Sequence, residues 1–211
     1  MKAIADCRLY GILDLGYVDR EALIRVTGEM LTGGIDIIQL RAKRHSPDEI
    51  LAMGREILPL TRDAGVPLVI NDHAEVAAEL GADGVHVGQD DLSMEEVRAI
   101  VGDDMMVGRS THSVDQARGG AAEGAGYLGF GPLFATLTKP DYVPIGLADI
   151  AQVHSEHPGL PIFCIGGIKR EIVSDLVAAG ARRVVIVSGI LQAPDIAEYV
   201  REAKAMLPAI A

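Results

Sequence analysis

An α/β fold, a single-domain (β/α)8 TIM barrel over residues 1–211, is predicted by three observations. Short apolar, β-branched runs recur eight times along the chain, and an amphipathic segment follows each run. The runs are nearly continuous in their apolar character, as strands buried on both faces of a parallel sheet must be. The whole fits into 211 residues, the short end of the range for such barrels. An open doubly wound sheet would need a glycine fingerprint after the first strand, and "GILDLGYVD" lacks one.

The elements follow in strict alternation. "CRLYGIL" (7–13) precedes the amphipathic "DREALIRVTGEMLTGG"; "IDIIQL" (35–40) precedes "SPDEILAMGREILPLTRDAG"; "PLVIN" (67–71) precedes "HAEVAAELGA"; "GVHVG" (84–88) precedes "SMEEVRAIVG". The second half repeats the pattern. "MMVGRS" (105–110) leads to "SVDQARGGAAEGAG", "YLGFG" (127–131) to "GLADIAQVHSEH", "PIFCIG" (161–166) to "REIVSDLVAAGA", and "RVVIVS" (183–188) to "APDIAEYVREAKAML". Ser46 before Pro47, Ser93 with Glu96 as a capping box, and Ser113 are expected N-caps. Gly34, Gly65, Gly81, Gly126 and Gly180 are expected to close helices. No linker, low-complexity tract or second domain interrupts the pattern.

Charge and composition exclude several function classes. With 19 basic against 30 acidic residues the formal charge is −11, so no nucleic-acid footprint is expected and any phosphate site must be built from a few local cations. Cys7 and Cys164 lie in distant apolar runs and read as two buried thiols in a reducing compartment, without disulfide or metal spacing. "MKAIADCRLY" has no signal-peptide core, and no apolar run approaches the roughly 18 residues of a membrane span. A cytoplasmic protein is expected, acting on small molecules; a homodimer remains open.

In a (β/α)8 barrel the chemistry gathers at the C-terminal mouths of the strands. The second strand ends "QLRAK", where Gln39, Arg41 and Lys43 alternate and so share one side if the chain stays extended. An amide and two cations there suit a diphosphate; a solvated loop is the plain alternative. The third strand ends in Asn71 and Asp72, the fourth in Gln89, Asp90 and Asp91, the fifth in Arg109, Ser110, Thr111 and His112. Loop six carries Thr136 and Thr138 before Lys139. Gly166 and Gly167 are expected to open a helix whose free amides accept a phosphate, with Val187, Ser188 and Gly189 as the other half of that site. His112 reads as a helix anchor more readily than as an acid or base, His86 as a packed core residue, and His45, His73, His154 and His157 as surface groups.

Taken in order, "QLRAK", "IND", "DGVHVGQDD", "STHS", "GFGPLFATLTKPDY", "CIGGI" and "VVIVSGIL" resemble the thiamine phosphate synthase family over nearly the whole chain. The resemblance implies a condensation of a pyrimidine diphosphate with a thiazole phosphate, releasing pyrophosphate, in a dissociative reaction assisted by Mg2+. It implies that Asp72 and Asp91 hold the metal. Gln39, Arg41, Lys43 and Asn71 would hold the pyrimidine diphosphate, with Ser110 and Lys139 at its leaving group as the catalytic pair. Thr136, Thr138, Gly167, Val187 and Ser188 would hold the thiazole phosphate, and Asp90 would stand behind the metal ligands. The chain departs from the family pattern at Leu13 before Asp14, at Ile172, and at Arg182 and Arg183, the last three in units flanking the thiazole phosphate site. Two other functions share this frame: a thiazole tautomerase-like isomerase using His112, and a non-catalytic barrel that binds thiamine intermediates. On a purely structural reading Asp72 would cap the third helix and Asp91 would be a turn residue.

Overall fold

The computed structural model describes residues 1–136 and 143–210. Eight parallel strands close into a barrel in sequence order, β1 (Leu9–Asp14), β2 (Ile37–Arg41), β3 (Leu68–Asn71), β4 (Gly84–Val87), β5 (Met106–Thr111), β6 (Tyr127–Phe130), β7 (Ile162–Cys164) and β8 (Val184–Ile186), with β1 pairing back onto β8. The helices are α1 (Leu23–Gly33), α2 (Pro47–Asp63), α3 (Ala74–Leu80), α4 (Met94–Val101), α5 (Val114–Ala122), α6 (Ile150–Glu156), α7 (Val173–Ala178), a four-residue α8 (Ser188–Leu191) and α9 (Ile196–Ala205). The period-two alternation of each strand sends one set of side chains into the barrel and the other against the helices. The outer set, with Leu9, Leu13, Ile38, Leu40, Leu68, Ile70, Val85 and Val107, joins the apolar faces of the helices in one continuous core. The inner set, including Tyr10, Ile12, Ile37, Val69, Tyr127, Phe163 and Val185, fills the barrel.

The expected caps form. Ser46 and Ser93 each make a full capping box, with Glu49 and Glu96, and the Ser113 hydroxyl accepts from the Gln116 amide. Gly34 and Gly81 close α1 and α3 in the left-handed conformation. After α5 that conformation falls on Gly124 (φ 82°) rather than Gly126, because the chain must turn before β6 begins. Both cysteines are free and buried, and burial pushes each thiol up to about 12.

Two expectations at the lower end of the barrel are overturned. His154 is 8% exposed, not a surface group, because its α6 position turns inward under Arg182 and Arg183. Arg183 donates to the backbone carbonyls of Cys7 (3.0 Å) and Ala5 (2.7 Å), beside the start of β1. The two arginines therefore belong to the N-terminal end of β8 and not to a phosphate site at its mouth. No helix among the described residues is long and apolar enough to cross a membrane.

Candidate active site

A cleft at the C-terminal mouth, about 770 Å³ including the part open to solvent, gathers residues from each strand or the loop that follows it, among them Gln39, Arg41, Asn71, Ser110, Thr136, Gly167, Val187 and Ser188. Its floor is apolar, with Ile12, Ile165 and Val185. Each residue arrives by its place at the end of a strand. Gln39 and Arg41 are inward positions of β2, two apart, and Gln39 is 2% exposed. Arg41 is held from below: Asp14, its register partner on β1, accepts from its guanidinium at 2.6 Å. The other oxygen of Asp14 accepts from the Gly16 amide at 2.8 Å, so a buried carboxylate with two donors fixes the cation at the rim. Asp14 thus positions a cleft residue, a role that the sequence analysis did not give it.

The two acids converge. Asp72 sits at φ 65°, the one described residue other than glycine with positive φ, and its amide donates to the His86 carbonyl at 2.9 Å. α3 takes no side-chain cap, so Asp72 is not spent as one. Burial pushes its carboxyl above the usual range, Lys43 opposes this, and the neighbouring Asp91 carboxylate pushes it further up. Asp91 braces its own loop, its Oδ2 accepting from the Gly88 amide at 2.7 Å, which bears out its turn role without excluding a second one. Lys43 forms an ion pair with Asp72 at the rim and does not line the cleft, so the alternation of Gln39, Arg41 and Lys43 places two residues inside and one at the edge.

Two opposed carboxylates beside one lysine make a poor stability device and a good cation site. Among the described residues no cluster of three His, Cys, Asp or Glu side chains could hold a metal. A pair of carboxylates is the kind of donor set Mg2+ takes, the ion using one or two carboxylates and completing its octahedron with substrate oxygens and water.

On the far side, Gly166 and Gly167 both have positive φ (99° and 66°), and a Cβ on either would strike the backbone or side chains of Pro132 and Phe134. They do not open a helix. A 3-10 turn intervenes at Arg170–Ile172, where Ile172 packs against the core, and α7 starts at Val173. The glycines instead let the loop pass close under the segment 132–135. Thr138 and Lys139 lie outside the described residues.

Two readings of histidine divide. His112 lines the cleft with its Nδ1 hydrogen-bonded to the Gly131 carbonyl, and its amide donates to Gln116 Oε1 at 2.7 Å, the anchor role expected of it. His86 is no mere core residue. It lines the cleft, its Nε2 2.9 Å from Ser110 Oγ and its Nδ1 3.0 Å from the Tyr127 hydroxyl. The readable signal was Gly129 on β6, where a Cβ would meet the His86 ring at 3.4 Å, since a glycine inside a strand marks space for a neighbouring group.

Comparison with known proteins follows the same lines. A sequence model of the family described as Thiamine monophosphate synthase matches residues 9–190. The thiamine-phosphate synthase of Shouchella clausii is 41% identical over 190 residues, covering 90% of each chain. That of Thermus thermophilus is 44% identical over 175 residues, 83% of this chain and 84% of its own. A solved structure of thiamine phosphate pyrophosphorylase from Pyrococcus furiosus superposes with a TM-score of 0.87 at 27% identity, covering 96% of both chains. With the barrel, the paired acids and the cleft in place, the chain belongs to the thiamine monophosphate synthase family.

Proposed function

We propose that the chain is a transferase, a thiamine phosphate synthase. It joins 4-amino-2-methyl-5-hydroxymethylpyrimidine diphosphate to 4-methyl-5-(2-phosphooxyethyl)thiazole, or to the carboxylated form of that thiazole, giving thiamine phosphate and pyrophosphate. The observation that carries this reading is the pairing of Asp72 with Asp91 and Lys43, in the loops that follow β3, β4 and β2, at the same barrel end as a cleft lined by Arg41, Gly167, Val187 and Ser188. The acids and cations suit a diphosphate and its metal, the last three residues a monophosphate.

The residues then divide the work. Gln39 and Asn71 orient the pyrimidine, and Arg41 and Lys43 take the diphosphate oxygens. Asp72 and Asp91 would hold Mg2+, which when bound offsets charge building on the departing diphosphate. Ser110 and Lys139 donate to the same oxygens. Thr136, Thr138, Gly167, Val187 and Ser188 fix the thiazole phosphate so that the ring nitrogen faces the pyrimidine methylene. The C–O bond to the diphosphate breaks with its electron pair, and the nitrogen lone pair forms the new C–N bond, so no strong base is required. The proposed partners are these two small molecules, and the proposed setting is the cytoplasm.

The position of His112 on the cleft wall supports a second reading, isomerisation of the carboxylated thiazole phosphate alone. Incubation with both substrates and Mg2+, read by mass spectrometry for thiamine phosphate, separates the two. Conversion of the thiazole without its coupling to the pyrimidine would favour the isomerase.

A further inference from the structure

Beneath the cleft a chain of hydrogen bonds crosses the barrel interior. Gln39 Nε2 donates to the Tyr10 hydroxyl at 2.7 Å, the Tyr10 and Tyr127 hydroxyls are 3.0 Å apart, and Tyr127 reaches His86 Nδ1 at 3.0 Å. His86 Nε2 meets Ser110 Oγ at 2.9 Å. Gln39, Tyr10 and Tyr127 are each 2% exposed or less, so water cannot repair a wrongly directed link. The rings are fixed as well. Tyr10 and Tyr127 both stack edge-on to Phe163, at 5.4 and 5.7 Å between centroids, and Tyr127 occupies the space left by the absent side chain of Gly108.

Such a chain has two polarities. In the first, Tyr10 accepts from Gln39 and donates to Tyr127, Tyr127 donates to His86 Nδ1, and His86 Nε2–H donates to Ser110 Oγ. Every hydrogen is then used, and the Ser110 hydroxyl hydrogen is left to point into the cleft. In the second, Ser110 donates to His86, His86 to Tyr127, and Tyr127 to Tyr10. Tyr10 would then receive two donors, from Tyr127 and Gln39, and its own hydrogen would be stranded in the apolar barrel. The Gln39 amide at the head of the chain thus selects the first direction.

We propose that Gln39, Tyr10 and Tyr127 act as a polarised relay that holds His86 in its Nε2–H tautomer and so keeps Ser110 a hydrogen-bond donor to the departing diphosphate. Tyr10 and Tyr127 are positioning residues that act through His86 and Ser110.

The identity of the ligand rests on the function proposed above, whereas the polarity of the relay does not. The polarity is tested by 15N NMR of histidine-labelled protein at a pH where the imidazole is neutral, with the His86 signals assigned by His86→Gln. The expected result is a protonated Nε2 and a bare Nδ1 in the parent, with that preference lost in Tyr127→Phe. A protonated Nδ1 in the parent overturns the proposal, even if Tyr127→Phe does not fold. Kinetically, Tyr127→Phe should lower kcat about tenfold with KM for the thiazole phosphate unchanged. The double variant with Ser110→Ala should be no slower than Ser110→Ala alone. Losses that multiply would show that Tyr127 does not act through Ser110 and would overturn the relay. Absence of thiamine phosphate formation by the parent would count against the function proposed and leave the tautomer to judge the relay.

Discussion

Replacing Asp72 with Asn removes one of the two converging charges and leaves the backbone in place, because Asn tolerates the left-handed φ of 65° far better than most side chains. The carboxyl is held above its usual range by burial first, with Asp91 adding to it, and Lys43 does not prevail against them. For a carboxyl raised in the native state, the folded chain binds more protons than the unfolded chain between the two pKa values. Ionised Asp72 therefore destabilises the protein at neutral pH, and this penalty fades as pH falls through the folded pKa towards the unfolded one. In EDTA at neutral pH, Asp72→Asn should be as stable as the parent or more stable, and the difference should vanish in acid. Mg2+ reverses the order. A ligand at ten times its Kd stabilises the parent by about 1.4 kcal/mol, or about 3–6 °C in Tm for a chain of this size. The variant should show little of that shift, and its maximal turnover should fall by ~10² or more. Melting curves across pH, in EDTA and in excess Mg2+, read all of this. A variant that loses about 0.5–2 kcal/mol in EDTA while keeping the parental Mg2+ shift would make Asp72 a structural residue and refute the reasoning.

Three further outcomes are expected. His154 is held down from 6.5 to about 4 by burial first and then by Arg182 and Arg183, so stability present above pH 6.5 is lost as pH falls towards 4, by up to about 3 kcal/mol; denaturant titrations of His154→Leu should lack that slope, and an unchanged slope would contradict the assignment. Gly108→Ala would place a Cβ 2.1 Å from Cζ of Tyr127, so it should cost about 1–3 kcal/mol and lower turnover by displacing the ring beneath Ser110; wild-type stability and rate together would rule that contact out. Lys139→Ala should lower kcat about a hundredfold, on the order of 3 kcal/mol of transition-state stabilisation, with an unchanged Tm; an unaltered rate constant removes Lys139 from the leaving-group site.

The barrel was legible because its signals are local: β-branched runs, caps such as Ser93 with Glu96, and helical periodicity each declare themselves within a few residues. Much of the site was legible for a related reason, since polar residues that end apolar strands, such as Asn71 and Ser110, stand at the mouth of any such barrel. What stayed hidden depends on register and direction. The Asp14–Arg41 pair needs the alignment of β1 with β2, and the left-handed turn at Asp72 has no sequence mark. His86 sits in "GVHVG", where its apolar neighbours suggest core packing, and only Gly129 on β6 betrays the space its ring uses. Arg182 and Arg183 misled because they are close in sequence to Val187 and Ser188. The four residue steps from Arg183 to Val187, at about 3.3 Å each, carry the chain ~13 Å, from before β8 to beyond its far end.

The central claim, that this cleft couples two substrates by expelling a diphosphate, is tested most directly by following thiamine phosphate and pyrophosphate together in one reaction of the full chain with both substrates and Mg2+. The account predicts that the two products rise in equal amounts, that omission of either substrate abolishes thiamine phosphate, and that Asp72→Asn slows both products alike. Thiazole conversion in the absence of the pyrimidine, or binding of both substrates with neither product formed, would contradict it.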